Sequence, residues 1–137
     1  MTIAQAQLLA RADAELLAAQ YSVEAWERFS HAHLAALRAA AAVVAARGRP
    51  TRRGAPATVW GMLAEVAPEL ARWSALFADG ARLRSAIDAG WFDEVTPERA
   101  EQALCDAEDF VDVARSLATA PEDRPAASPR MLAVRAS

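Results

Sequence analysis

The sequence predicts an all-α fold, a compact up-and-down bundle of four main helices and one short helix. Alanine, the strongest helix former, accounts for 37 of the 137 residues. The β-branched and aromatic residues that favour strands are sparse by comparison. Apolar residues recur at helical spacing in segments that Gly, Pro, Ser and Thr residues separate. We expect one domain, because the chain has the length of a usual single domain.

The first two helices are predicted in the N-terminal third of the chain. Leucines at helical spacing place the first over residues 3–19. Ser22 can cap the second, which runs over residues 23–47. Gly48 suits the left-handed position after a helix, and Pro50 marks the stop.

The three remaining helices have similar start signals. Thr58 can cap a short third helix, and Pro68 fits the first turn of a fourth. Thr96 followed by Pro97 and an acidic residue is typical of the start of a fifth. The predicted helices cover residues 59–66, residues 68–89 and residues 97–118. The bundle is thus expected over residues 1–118, and residues 119–137, which carry three prolines, are expected to form a flexible tail.

Several classes of protein are excluded by composition. With a single cysteine, Cys105, the chain can form neither an internal disulfide nor a cysteine-based zinc site. This low cysteine content indicates a reducing compartment. The N-terminus lacks the basic and apolar parts of a signal peptide. The longest apolar run, residues 39–46, is far shorter than the roughly 20 residues of a membrane span. We expect a cytoplasmic protein with no membrane partner, no metal and no cofactor.

The second helix is apolar almost all round, which is typical of a helix buried on every side. In a small chain this pattern predicts a central helix or one that also faces another subunit. Small residues on its outer side would let a second copy approach closely. The predicted homodimer interface contains Leu34, Ala35, Arg38 and Ala42. The alternative is that alanine only reflects helix propensity in a GC-rich genome.

Charge is segregated along the chain. Residues 28–64 carry six arginines and no acid, whereas residues 85–112 carry nine acids and one arginine. Cations at a helix C-terminus and in the loop after it form a candidate phosphate-binding patch for nucleic acid. This patch contains Arg47, Arg49, Arg52 and Arg53. Two alternatives stay open: a solvated loop, and a contact with the acidic fifth helix of a neighbouring copy.

The two histidines do not predict a metal site. His31 and His33 are two residues apart on a helix and point about 160° apart. His33 lies on the same apolar stripe as Phe29, where a histidine is more often a core residue than a catalyst. The chain also has no glycine-rich phosphate loop, no Ser-His-Asp arrangement and no HExxH motif.

Three segments of the chain resemble a HEPN domain, named for higher eukaryotes and prokaryotes nucleotide-binding. They are AHLAALRAAAAVVAARGRP, TVWGMLAEVAPELARWSALFADGA and VTPERAEQALCDAEDFVDVARSLA. The resemblance is strongest over residues 33–50 and 66–70, and it points to a small actinobacterial branch, the SAV-type HEPN proteins. It implies an all-α bundle that is commonly dimeric.

Many HEPN proteins are metal-independent ribonucleases, so the resemblance also raises a catalytic hypothesis. Their signature is an arginine followed after four to six residues by a histidine, near the start of the last core helix. The histidine acts as general acid or base, and the arginine stabilises phosphate charge. Arg99 stands at that helix start, but no histidine follows it. A formal match exists at Arg28 and His33 on the second helix, where the side chains would point about 140° apart.

We therefore expect a non-catalytic, dimeric HEPN-like module that binds RNA, a nucleotide or a protein partner. The alternative is a metal-independent ribonuclease or a toxin–antitoxin component with Arg28 and His33 as catalytic residues. In the toxin–antitoxin case, the partner would be the product of a neighbouring gene.

Overall fold

The computed structural model describes residues 1–119 and confirms the all-α fold. Short 3-10 turns at Pro68–Leu70 and Phe92–Glu94 precede the last two helices, and no strand occurs in the described range. The helices are α1 (Ile3–Tyr21), α2 (Ala25–Arg47), α3 (Val59–Val66), α4 (Ala71–Asp88) and α5 (Pro97–Ala118). The predicted tail lies outside the described residues except for Thr119.

Two helix starts differ from the sequence prediction. Ser22 does not cap α2, because its hydroxyl donates to the carbonyl of Ala18, 2.8 Å away, and so closes α1. Serine side chains bond to a nearby carbonyl about as readily as they cap a helix start. Pro68 opens a separate 3-10 turn, because the backbone of Ala67 is not helical (φ −136°, ψ 69°) and interrupts the chain between α3 and α4.

The second helix is the centre of the bundle, as its composition predicted. It packs against α1, α3, α4 and α5. By length and composition α2 could cross a membrane, but more than half of its most apolar stretch is buried inside the bundle. Burial on all sides accounts for an all-round apolar helix.

The first helix covers the side of α2 that was predicted to form a dimer interface. Ala35 and Ala42 have no exposed surface. Ala42 packs against Leu9 of α1 at the end of the core. The prediction was therefore wrong for Ala35 and Ala42, because the same chain already covers them. Leu34 and Arg38 are half-buried, so they stay a prediction.

A groove separates the last two long helices. Both α4 and α5 pack against α2, but they make few contacts with each other. Phe77 of α4 and Phe110 of α5 meet at the floor of this groove, with ring centroids 5.3 Å apart. The groove is one of the concave surfaces along α4 in residues 1–119.

Candidate anion-binding pocket between α4 and α5

A small pocket lies in the groove near the start of α5, and Gly80 opens it. A Cβ atom at Gly80 would lie 3.5 Å from Nδ1 of His33 and 3.7 Å from Nη2 of Arg99. The absent side chain therefore leaves about 10 Å³ of free space, enough for about one water molecule. The pocket is lined by Phe29, His33, Leu76, Phe77, Gly80, Arg99, Ala103 and Asp106.

His33 forms the polar part of the pocket floor. The residue is 6% exposed, and its ring lies 6.0 Å from those of Phe29 and Trp60. Burial, and then the charges of Arg84 and Arg99, lower the pKa of His33 to about 4. Its ring makes no hydrogen bond to any residue within 1–119. At neutral pH, the floor therefore offers a neutral imidazole without a protein partner.

Arg99 lies at the mouth of the pocket. Its backbone N–H donates to Oγ1 of Thr96, 3.0 Å away, which fixes it in the first turn of α5. Its guanidinium lies 5.0 Å from the centroid of the Phe29 ring, a cation–π distance. Arg82 and Arg84 form ion pairs within their own helix, but Arg99 forms none within the described part of the chain. Its charge is thus free for a ligand.

The structure does not bring Arg28 and His33 together. Arg28 donates from Nε to the carbonyl of Ala19 at 3.1 Å and from Nη2 to that of Ser22 at 2.8 Å. Its Nη1 also donates to Glu101, 3.1 Å away. Arg28 therefore caps the end of α1 and ties it to α5. The two side chains leave α2 on different faces and have different neighbours, so one chain does not bring the predicted catalytic pair together.

The predicted phosphate patch is half neutralised. Arg47 forms an ion pair with Glu69, 2.6 Å from Nη2 to Oε2, and Arg52 pairs with Glu65. The hydrogen bond from Arg47 lowers the pKa of Glu69 and raises the pKa of the guanidinium. Arg49 and Arg53 are exposed and form no ion pair with residues 1–119. Two free arginines on a loop are a much weaker anion site than four.

The other histidine has a structural contact. Nδ1 of His31 lies 2.6 Å from Oε1 of Glu15 and links α2 to α1. No group of three potential metal ligands comes together in the part of the chain that the structure describes.

Sequence reasoning missed the pocket, although it noted each component separately. Arg99 was noted without a partner histidine, His33 was interpreted as a core histidine, and Gly80 is a glycine inside the predicted fourth helix, where it weakens the helix. The single available signal was a glycine in the middle of α4, since a glycine inside a helix often marks a close approach.

The fold and its pocket define a helical-bundle module with a small polar site between two helices. The family model described as HEPN_SAV_6107-like HEPN matches residues 19–115, well over half of the chain. The chain therefore belongs to this HEPN family. No curated protein and no solved structure matches it. The matched part contains α2 to α5 and leaves out nearly all of α1.

Proposed function

We propose that this HEPN module is non-catalytic and binds a phosphate group of RNA or of a nucleotide between α4 and α5. The observation that carries the proposal is the meeting of Arg99 with His33 over Gly80. Arg99 has no carboxylate partner, and the buried ring of His33 has no hydrogen-bond partner, in the described residues. A ligand oxygen would give the His33 ring a hydrogen-bond partner, and such a bond contributes about 0.5–1.5 kcal/mol.

Of the polar residues that line the pocket, Arg99 and His33 suit a phosphate oxygen chemically, whereas Asp106 carries the opposing charge. A guanidinium binds phosphate through charge-assisted and often bidentate hydrogen bonds. The neutral His33 ring can donate one further hydrogen bond to an oxygen in the pocket. The free space admits a single oxygen, so the rest of the ligand would lie in the groove outside.

The pKa of His33 favours binding over cleavage. A general acid or base works best when its pKa lies near the operating pH. His33, with a pKa of about 4, is neutral at pH 7, so little of it is in the imidazolium form that a general acid requires. We therefore expect RNA to bind without being cut.

Fluorescence anisotropy with an end-labelled single-stranded RNA tests the site. Loss of a hydrogen bond to a charged group costs about 1.5–3 kcal/mol, so Arg99→Gln should weaken binding about 10- to 100-fold. The matched control is the double variant Arg49→Gln with Arg53→Gln, which should bind like the unchanged protein. One or two phosphate contacts predict a shallow slope of log K against log salt, about −0.7 to −1.4.

The outcomes separate the proposed sites and functions. Loss of binding in the loop variant but not in Arg99→Gln would place the anion site on the loop. No binding of RNA or of a nucleoside triphosphate at low salt would leave a protein partner as the function to pursue. RNA fragments on a gel of the same sample would contradict the non-catalytic part.

Dimerisation is a separate part of the proposal. On α1, Ile3, Ala10, Ala14, Leu17 and Tyr21 are all exposed. From Ala10 to Tyr21 they are three and four residues apart, and Gln7 fills the position between Ile3 and Ala10. This spacing is that of a coiled-coil seam, and the seam lies away from the face that packs on α2. Sedimentation at rising concentration should show a dimer that Leu17→Asp dissociates. A monomer at every concentration would contradict this part alone.

A further inference from the structure

A wider part of the same groove continues from the pocket toward the C-terminal end of α5. It encloses about 510 Å³ and is lined by Arg72, Trp73, Ala75, Leu76, Asp79 and Asp106. We call these six residues the acidic groove. Trp73 forms its apolar floor, with its ring 5.5 Å from that of Phe110, and Leu76 is 41% exposed beside it. An exposed leucine beside an open aromatic floor is typical of a docking surface.

The acidic groove has two aspartates and one arginine, Arg72, so its lining keeps a net negative charge that can accept a cationic partner. Asp106 accepts a hydrogen bond from the side-chain amide of Gln102 at 2.9 Å, and it forms no ion pair with a described residue. Asp79 faces Arg82 at 3.6 Å, with both side chains largely exposed, and such surface pairs contribute little. A ligand that fits this surface has an apolar centre and flanking positive charges.

We propose that residues 130–135 of the same chain dock in the acidic groove. Their sequence is Arg-Met-Leu-Ala-Val-Arg, four apolar residues between two arginines. The apolar residues match the floor of Trp73 and Leu76, and the arginines match the two aspartates. The acidic groove adjoins the pocket at Arg99 and shares Leu76 and Asp106 with it.

The length of the chain supports this site. Asp106 lies thirteen residues before Thr119, about 20 Å back along α5. Eleven residues lead from Thr119 to Arg130, and an extended chain of that length spans about 36 Å. Other exposed apolar residues lie on α1, among them Leu17 and Tyr21, and before α5 at Trp91 and Phe92. Trp91 and Phe92 lie beyond the far end of α5, about 33 Å or more from Thr119, where the chain would have to be fully extended.

A nitroxide label on Cys105 tests the docking in the full-length chain. Cys105 is the single cysteine of the chain, is exposed and directly precedes Asp106. The NMR signals of residues 131–134 should lose most of their intensity when the label is oxidised and recover when it is reduced. Unchanged signals in residues 131–134 would overturn the proposal. A second sample mixes spin-labelled protein with separately isotope-labelled protein. Broadening that occurs only in this mixture would also overturn the proposal, because the docked segment would then come from a second copy.

Variants in the same assay test the chemistry of docking. Leu132→Asp should restore the signals, whereas Ala127→Asp, which adds the same charge outside the segment, should leave them broadened. Arg130→Glu with Arg135→Glu should also restore the signals. Adding Asp79→Arg and Asp106→Arg to that variant should bring the broadening back. Broadening that survives Leu132→Asp would show a non-specific contact and overturn the proposal.

Discussion

Replacing Gly80 by alanine should make the protein more stable. Glycine inside a helix costs about 1 kcal/mol relative to alanine. The new methyl group would lie 3.5 Å from His33 and 3.7 Å from Arg99 and Phe29, which are ordinary van der Waals distances. Burying a methyl group contributes about 0.8 kcal/mol more. Together these terms predict a gain of about 1–2 kcal/mol in the free energy of unfolding, or roughly 4–8 °C in Tm.

The same methyl group should weaken ligand binding. The pocket at Gly80 has about 10 Å³ of free space, which a methyl group fills. It would stand between His33 and any ligand oxygen and leave Arg99 as the sole contact. Loss of one hydrogen bond to a buried group costs about 1–3 kcal/mol, so affinity for the RNA probe should fall about 5- to 100-fold.

Thermal unfolding and anisotropy on the same sample check both effects. Ala78→Gly is the matched control, since Ala78 is exposed on α4 and lines neither the pocket nor the acidic groove. It should lower stability by about 1 kcal/mol and leave binding at Arg99 unchanged. A Gly80→Ala variant that is less stable would refute the packing argument. A variant that is more stable and binds the probe as well as before would refute the assignment of the pocket.

Three further variants test the packing around the site. Gly61→Ala should lower Tm, because its Cβ would lie 2.7 Å from the rigid Cβ of Pro56 and overpacking costs about 1–3 kcal/mol. Arg28→Ala should lower the free energy of unfolding by about 1–3 kcal/mol through the lost caps of α1 and should not change probe binding. Since the pKa of His33 is lowered from 6.5 to about 4, the unfolded chain gains a proton below pH 6.5 that the folded chain does not. The neutral His33 ring therefore contributes about 3 kcal/mol to the free energy of unfolding above pH 6.5, and this contribution is lost as the pH falls toward 4. Urea titrations of His33→Gln should show a free energy of unfolding that depends less on pH in this range.

Most of the fold could be predicted because its signals are local. Helix periodicity and the caps at Thr58 and Thr96 depend on residues within one or two turns, and α3 and α5 lie where those signals placed them. The all-round apolar character of α2 predicted its central position. The apolar pattern of α2 could not show whether α1 or a second copy packs on Ala35 and Ala42, because either partner requires the same surface of small apolar residues.

The charge pattern was less informative, because ion pairs form across the fold. Counted along the chain, Arg47 and Arg52 fall in a stretch without acids that ends just before Glu65. In the folded protein, Glu65 and Glu69 reach back to them from the end of α3 and the turn after it. Counting charge along the chain therefore overestimated the positive charge that the loop offers to a phosphate. It also gave no weight to Arg99, which is the single arginine in the acidic stretch of residues 85–112.

The pocket depends on three residues that each have an ordinary local interpretation. Gly80 reads as a weak point in α4, Arg99 as a surface arginine and His33 as a core histidine. Only the packing of α4 and α5 on α2 places them around one space. In a chain that uses alanine at 37 positions, glycine stands at a helical site where alanine would fit and would stabilise. Stability alone does not explain that glycine, whereas a pocket that must stay open for a ligand does, because a binding site often keeps a residue that stability would replace.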